Sequence, residues 1–132
     1  KFKLLLEAKT SDQQYAGTDS LDVVLMLNGN EGMSKPLNHN GDDRLVGAKD
    51  KYVLEFDCPE SKLNGFRVAI LAGDDAWKCD YFAARLVKND DSESQVFLFK
   101  VDGWFSADEK EGKRFYDAKF SRLKFKFPEP PE

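Results

Sequence analysis

The sequence has few of the residue types that carry most enzyme chemistry. Among 132 residues there are one histidine, His39, and two cysteines. A histidine works as a general base only beside a nucleophile or a reacting proton. The sequence also contains no Gly-x-Ser-x-Gly elbow, His-Glu-x-x-His motif or phosphate-binding loop. We therefore predict that the chain has no catalytic activity of its own.

Long apolar runs and an excess of positive charge are missing as well. No segment approaches the roughly 20 apolar residues of a membrane span, so we predict no transmembrane segment. The formal net charge is −4, whereas nucleic-acid binding needs a concentrated basic surface. Anionic lipid repels a weakly acidic protein at long range, so membrane affinity needs exposed apolar groups, a basic patch or a bridging cation.

The two cysteines, Cys58 and Cys79, are too few for a disulfide framework and form no Cys-x-x-Cys pair. Two interpretations stay open: both are buried thiols, or they form one disulfide. The cellular compartment stays open too, and a peripheral-membrane or a secreted location fits the sequence. Because the chain starts at Lys1 rather than at a methionine, we expect a processed form or a domain excised from a longer protein.

Apolar and polar residues alternate along much of the chain, with the period of a half-buried strand. The predicted strands are residues 2–10, 21–27, 52–58, 66–72, 77–88, 96–101 and 123–127. Short strands at this spacing, separated by Asn, Asp and Gly turns, are typical of a sandwich or barrel. We predict one all-β domain over residues 1–127 and a Pro-rich tail or linker stub over residues 128–132. Residues 106–112 carry the capping pattern of a single helical turn.

Three loops between the predicted strands are rich in side-chain oxygens and glycine. They contain Asp12 with Gly17-Thr18-Asp19, residues 38–43, and Gly73-Asp74-Asp75-Ala76. Calcium takes six to eight oxygen ligands from carboxylates, amides and backbone carbonyls. Glycines at positions 17, 41 and 73 would let backbone carbonyls approach an ion. The alternative is that Asp, Asn and Gly are present only because turns require them.

Two aromatic residues lie beside these loops, Tyr15 in the first and Trp77 after the third. Their rings combine an apolar body with a polar atom, which suits a membrane–water interface. We predict both as lipid contacts, and for Trp77 core packing is the alternative. For Tyr81 or Phe82 we predict core packing.

Several motifs, taken in order, resemble the PLAT (lipoxygenase-homology, LH2) domain. Residues 15–19, Tyr-Ala-Gly-Thr-Asp before the strand 21–27, resemble the Ala-Gly-Thr-Asp signature that opens these domains. Residues 27–37 are similar to a region of polycystin-type PLAT domains, and residues 45–52 resemble a stretch of the lipid-binding domain of clostridial alpha-toxin. Further matching segments, in the family's order, are residues 63–68, 75–77 and 102–105.

The resemblance implies an eight-stranded antiparallel β-sandwich made of two four-stranded sheets. It also implies a targeting or interaction domain, of which many members bind calcium in loops at one end and then engage lipid headgroups. The positions that match the family's calcium ligands are Gly17, Asp19, Gly41, Asp43, Asp75 and, through its backbone carbonyl, Ala76. We therefore predict a calcium-assisted lipid- or membrane-binding module. The alternatives are a metal-independent protein-interaction module and an accessory domain excised from a lipase or lipoxygenase.

Overall fold

The structure is a computed structural model that describes residues 2–14, 16–17, 22–37, 44–57, 62–73, 76–94, 96–108, 110 and 112–119. Its strands are β1 (Phe2–Thr10), β2 (Asp22–Leu27), β3 (Ser34–Pro36), β4 (Lys49–Phe56), β5 (Gly65–Ala72), β6 (Ala76–Lys88), β7 (Phe97–Ser106) and β8 (Phe115–Lys119). Sheet A has the strand order β4-β1-β6-β7, and sheet B has the order β3-β2-β5-β8. All neighbouring strands are antiparallel. The predicted fold, a β-sandwich of two four-stranded antiparallel sheets, is confirmed.

The core lies between the sheets because every second residue of a strand faces the opposite sheet. In β1 and β4 the even-numbered residues are buried and the odd-numbered ones are more exposed. From sheet B, Phe66 inserts between Phe82 and Phe99 of sheet A, with ring centroids 6.2 Å and 5.4 Å away. Both contacts have the edge-to-face geometry that aromatic pairs favour. One contiguous hydrophobic cluster therefore holds the two sheets together.

Two strands show why their sequences are unusually apolar or unusually long. β2 lies between β3 and β5, and its outward-facing Val24 and Met26 pack into a second small buried cluster with Ala69. β6 is 13 residues long and spans the whole sheet, with an irregular register near Cys79 against both of its neighbours. The predicted strand over residues 77–88 is therefore confirmed.

The sequence patterns missed parts of the strand set. β8 and the three-residue β3 were not predicted, and β7 continues to Ser106 instead of ending near Val101. Beyond β7, the hydroxyl of Ser106 accepts from the N–H of Asp108 at 3.0 Å, and the N–H of Gly112 donates to the carbonyl of Asp108 at 3.3 Å. These two hydrogen bonds belong to one isolated turn. The predicted strand 123–127 and the tail 128–132 lie outside the described residues.

The described residues contain one short 3₁₀ helix, Glu31–Met33. No helix among them has the length and hydropathy needed to cross a membrane.

Candidate binding site at one end of the sandwich

Three connections with predicted calcium ligands leave the sandwich at the same end. In sheet A, β1 ends at Thr10, which lies opposite Cys79 near the start of β6, and Lys9 faces Lys49 at the start of β4. In sheet B, Asp22 at the start of β2 lies opposite Ala72 at the end of β5. The connections between these strands therefore lie at the same end of both sheets, and they comprise residues 11–21, 37–48 and 73–75. We call this end of the sandwich the loop end.

Only some of the predicted site residues fall in the described part of the chain. Gly17, Ala76 and Trp77 are described: Ala76 is the first residue of β6 and lies opposite Ser106 of β7, and the surroundings of the other two follow. The residues that lie outside the described ones are Tyr15, Asp19, Gly41, Asp43 and Asp75. Their roles as calcium ligands, or for Tyr15 as a lipid contact, therefore stay predictions.

Gly17 holds the first loop directly against the second. A Cβ atom at this position would lie 2.7 Å from the carbonyl oxygen of Arg44 and 2.8 Å from the backbone nitrogen of Val46. No side chain fits at such distances from backbone atoms, so the two loops approach backbone to backbone. The described structure thus gives Gly17 a packing role in addition to its predicted role near an ion.

Backbone hydrogen bonds join the loops to sheet A. The N–H of Thr10 donates to the carbonyl of Ala48 at 2.9 Å, and the N–H of Gly47 donates to the carbonyl of Ser11 at 3.1 Å. Lys78 of β6 adds two bonds: its carbonyl accepts from Ser11 at 3.0 Å, and its N–H donates to the carbonyl of Ala16 at 3.0 Å. Buried backbone groups are costly when unpaired, so these bonds fix the described loop segments on the sheet.

Arg44 is a buried residue that stabilises the described part of the second loop through its hydrogen bonds. It has a positive φ of 57°. Its backbone N–H donates to the Asp50 carboxylate at 2.9 Å, and its Nη1 donates to the carbonyl of Leu37 at 2.9 Å. Its guanidinium lies 5.9 Å from the centre of the Trp77 ring. Charge-assisted bonds and a cation–π contact of this kind hold residues 44–50 in one shape.

The prediction that Trp77 contacts lipid is not supported by its position, because the side chain is only 1% exposed. Its indole N–H donates to the hydroxyl of Thr10 at 2.8 Å. Its ring stacks on Phe105, with centroids 4.9 Å apart. Core packing, the alternative for this residue, accounts for both contacts. Alternation along β6 places Trp77 on the inward face, whatever its distance from the turn.

An exposed apolar pair at the loop end escaped the sequence analysis. Leu45 is 49% exposed and Val46 is 51% exposed. They lie on a turn closed by a hydrogen bond from Ala48 N–H to the Leu45 carbonyl at 3.0 Å. The signal that could have revealed them is an apolar dipeptide between the acidic run before Arg44 and the turn at Gly47.

The described residues alone do not form a metal centre. Among them, no three His, Cys, Asp or Glu side chains are grouped so as to hold a metal ion. The predicted carboxylate ligands are outside this set, so only their flanking segments can be checked against calcium binding. The described flanks of all three connections lie at the loop end, and Gly17 brings two of them together.

Cys79 is a free, buried thiol next to this end. Removal from water raises its pKa well above the ordinary thiol value. For this residue, the interpretation as a buried thiol is therefore confirmed. Cys58 lies outside the described residues.

Comparison with known proteins gives matches only to solved structures; no family model and no curated protein sequence matches the chain. A lipoxygenase variant in complex with arachidonate is 18% identical, with a TM-score of 0.64 over 89% of this chain and 16% of that one. Coral 8R-lipoxygenase, for which calcium activation via a C2-like domain is described, is 17% identical with a TM-score of 0.63. The match covers 87% of this chain and 16% of that chain. The alpha toxin from Clostridium absonum is 20% identical with a TM-score of 0.63, and the match covers 87% of this chain and 30% of the toxin chain.

These likenesses show the fold: the chain is a β-sandwich of the PLAT (LH2) type found in lipoxygenases and alpha-toxins. The predicted resemblance is confirmed at that level. The chain matches 16% of each lipoxygenase chain and 30% of the toxin chain. The match therefore involves one part of each larger protein.

Proposed function

We propose that this PLAT-type sandwich is a non-catalytic module that docks on a lipid surface through its loop end, assisted by calcium. The observation that carries the proposal is the exposed Leu45-Val46 turn, which backbone hydrogen bonds hold beside the connections that bear the predicted calcium ligands. The likeness to the coral lipoxygenase, for which calcium activation via a C2-like domain is described, supports the same assignment.

The apolar turn supplies the favourable contact. Full burial of a Leu or Val side chain is worth about 1.5–3 kcal/mol, and Leu45 and Val46 each have about half of that still to gain. Because Arg44 and Gly17 fix the turn before docking, little conformational entropy is lost on insertion. The pair is thus suited to enter the interfacial layer of a bilayer without a change in the sandwich.

Charge is the second contribution. The chain has a net charge of −4, which opposes approach to anionic headgroups. Asp19, Asp43 and Asp75, with the carbonyls of Gly17 and Ala76, would hold the ion, and Gly41 would provide room for the middle loop. Bound calcium would neutralise these carboxylates and offer a coordination position to a headgroup phosphate.

The test is cosedimentation of the chain with phosphatidylserine–phosphatidylcholine vesicles, in calcium and in chelator. We expect binding in calcium, weakened about tenfold by Leu45→Ser with Val46→Ser. A matched control is Leu98→Ser, because Leu98 is also an exposed leucine but lies on the edge strand β7 of sheet A, opposite Ala83 and away from the loop end. Asp75→Ala tests the ion and should remove the calcium dependence.

The outcomes separate the parts of the proposal. Equal binding in calcium and chelator would eliminate the ion from the mechanism. Unchanged binding of the Leu45 and Val46 double variant would eliminate the loop end as the docking surface. No binding under either condition would favour the alternative, a metal-independent protein-interaction module.

A separate observation favours that alternative. On the outer face of sheet A, a groove is lined mainly by apolar residues, together with the charged Glu7, Lys51 and Arg85. Its apolar members include Leu5, Val53, Ala83 and Val96. An exposed apolar surface of this kind is a common feature of protein contacts.

A further inference from the structure

The outer edge of sheet A is formed by β4, which pairs with β1 on its other side. No strand among the described residues pairs with this outer edge. The odd-numbered residues of β4 are exposed, and the most central of them, Val53, is 64% exposed. An eight-residue edge strand offers a template for another strand, and proteins usually protect such edges with charges. Here the charges have a particular order.

Hydrogen bonding shows which residues of β4 direct their backbone groups outward. The Thr10 N–H donates to the Ala48 carbonyl at 2.9 Å, and this pair continues the register in which Lys9 faces Lys49. Hydrogen-bonded and non-hydrogen-bonded pairs alternate in an antiparallel ladder, so the even-numbered residues bond to β1. The backbone groups that point away from the sheet belong to Lys49, Lys51, Val53 and Glu55.

The side chains at these odd-numbered positions are charged in an order that places opposite charges across from each other when two copies of β4 pair antiparallel. From Lys49 to the exposed Asp57, the side chains are positive, positive, apolar, negative and negative. When a second copy of β4 lies antiparallel with Val53 opposite Val53, Lys51 faces Glu55 of the second copy and Lys49 faces its Asp57. Opposite charges directly across a sheet stabilise the pairing, and like charges destabilise it.

Other registers lose part or all of this complementarity. Only shifts that keep odd positions opposite odd positions preserve both the outward hydrogen bonds and the exposed face. A centre at Tyr52 keeps Lys49 opposite Glu55 of the second copy but places Lys51 opposite its Val53. A centre at Lys51 places Lys51 opposite itself. The register centred on Val53 is therefore favoured over both.

The neighbouring strand extends the match. In one copy, Leu5 of β1 lies opposite Val53, so pairing would join two Leu5 and two Val53 side chains into one apolar row. The adjacent row across four strands would be Glu7, Lys51, Glu55 of the second copy and Lys3 of the second copy. Its signs alternate along the whole row.

We propose that this chain forms a two-fold symmetric dimer in which β4 pairs antiparallel with β4 of a second copy, centred on Val53. The two sheets A then become one eight-stranded sheet. The contact is isologous, so it closes at two copies. Because the paired strands run in opposite directions, the two loop ends point to opposite sides of the dimer.

Sedimentation equilibrium of the 132-residue chain tests the association. We expect a concentration-dependent shift from the 15.0 kDa mass of one chain to twice that mass. Val53→Pro should remain monomeric, because it removes an outward N–H of an edge strand, and its thermal unfolding should still be cooperative. A wild-type chain that stays monomeric up to millimolar concentration would overturn the proposal.

A charge exchange tests the register. Lys51→Glu should weaken the dimer about tenfold, because it creates two like-charge pairs across the interface. Adding Glu55→Lys should restore the affinity to near the wild-type value. Within one copy both substitutions place like charges beside Glu7 and Lys3, so an effect on folding alone would make the double variant worse than either single one. That result, or an unchanged dimer in Lys51→Glu, would contradict this register.

Discussion

Trp77 follows a turn at the loop end, yet its indole is one of the largest fully buried side chains. Its hydrogen bond to Thr10 and its stacking on Phe105 tie β6 to β1 and β7. Leu45 and Val46 have the opposite arrangement, since they are apolar but exposed. At the scale of single residues, the membrane affinity that we propose therefore depends on which side chains the turn geometry leaves outside the core.

Replacing Trp77 by Phe should lower the free energy of unfolding by about 1–3 kcal/mol. The change leaves the Thr10 hydroxyl without its indole donor and opens a small cavity. Urea denaturation measures the loss, with Trp104→Phe as the control at a less buried tryptophan. Weaker vesicle binding by Trp77→Phe at unchanged stability would instead restore a direct role in lipid contact.

Cys79 should resist alkylation in the folded chain. Burial raises its pKa, and only the thiolate is an effective nucleophile. Peptide mapping after iodoacetamide treatment at neutral pH should show modification of Cys79 in urea and little without it. Rapid modification of the native protein would contradict the buried thiol.

The same pKa shift makes stability depend on pH with a definite sign. The folded-state pKa lies above the unfolded value, so the thiol's contribution is complete below about 8.5 and is lost as the pH rises above it. The difference in unfolding free energy between wild type and Cys79→Ala should therefore shrink from neutral pH to about pH 10, by roughly 1–2 kcal/mol. A difference that stays constant with pH would exclude this linkage.

At the scale of elements, the sequence predicted strands where one face alternates clearly, as in β1, β4 and β5. It missed β8, because Phe115 is exposed on the outer face while the inward positions hold Tyr116 and Ala118. It also missed β3, because three residues are too few for a periodic signal. The order of the predicted strands was enough to expect the three loops at one end of the sandwich. The contact of Gly17 with residues 44–46, however, joins segments far apart in sequence. No local pattern encodes it.

That contact gives a test at the level of the loops. Gly17→Ala should lower the unfolding free energy by about 1–3 kcal/mol, because the new Cβ meets backbone atoms of Arg44 and Val46. It should also weaken calcium binding if the two loops share an ion. Gly29→Asn is the control, since Gly29 has open space and a positive φ of 71° that Asn tolerates. Equal effects of both substitutions on thermal unfolding would contradict the packing role.

At the scale of the whole molecule, the proposed dimer turns one docking surface into two that face opposite ways. We expect the chain to cluster phosphatidylserine-containing vesicles in calcium, measured as a rise in light scattering. Lys51→Glu should still bind single vesicles but cluster them poorly, and Lys51→Glu with Glu55→Lys should cluster them again. Clustering by a chain that sediments as a monomer would separate the two proposals and exclude β4 pairing as its cause.

The central place of β1 in sheet A has a mechanical consequence. Its two antiparallel ladders, to β4 and to β6, extend from Phe2 to the loop end, and their hydrogen bonds run perpendicular to the strand. If the loop end is held and force is applied at Phe2, the load runs along β1 and shears both ladders at once. The bonds then share the tension instead of breaking one after another, so the pairing of β1 resists a pull in this direction.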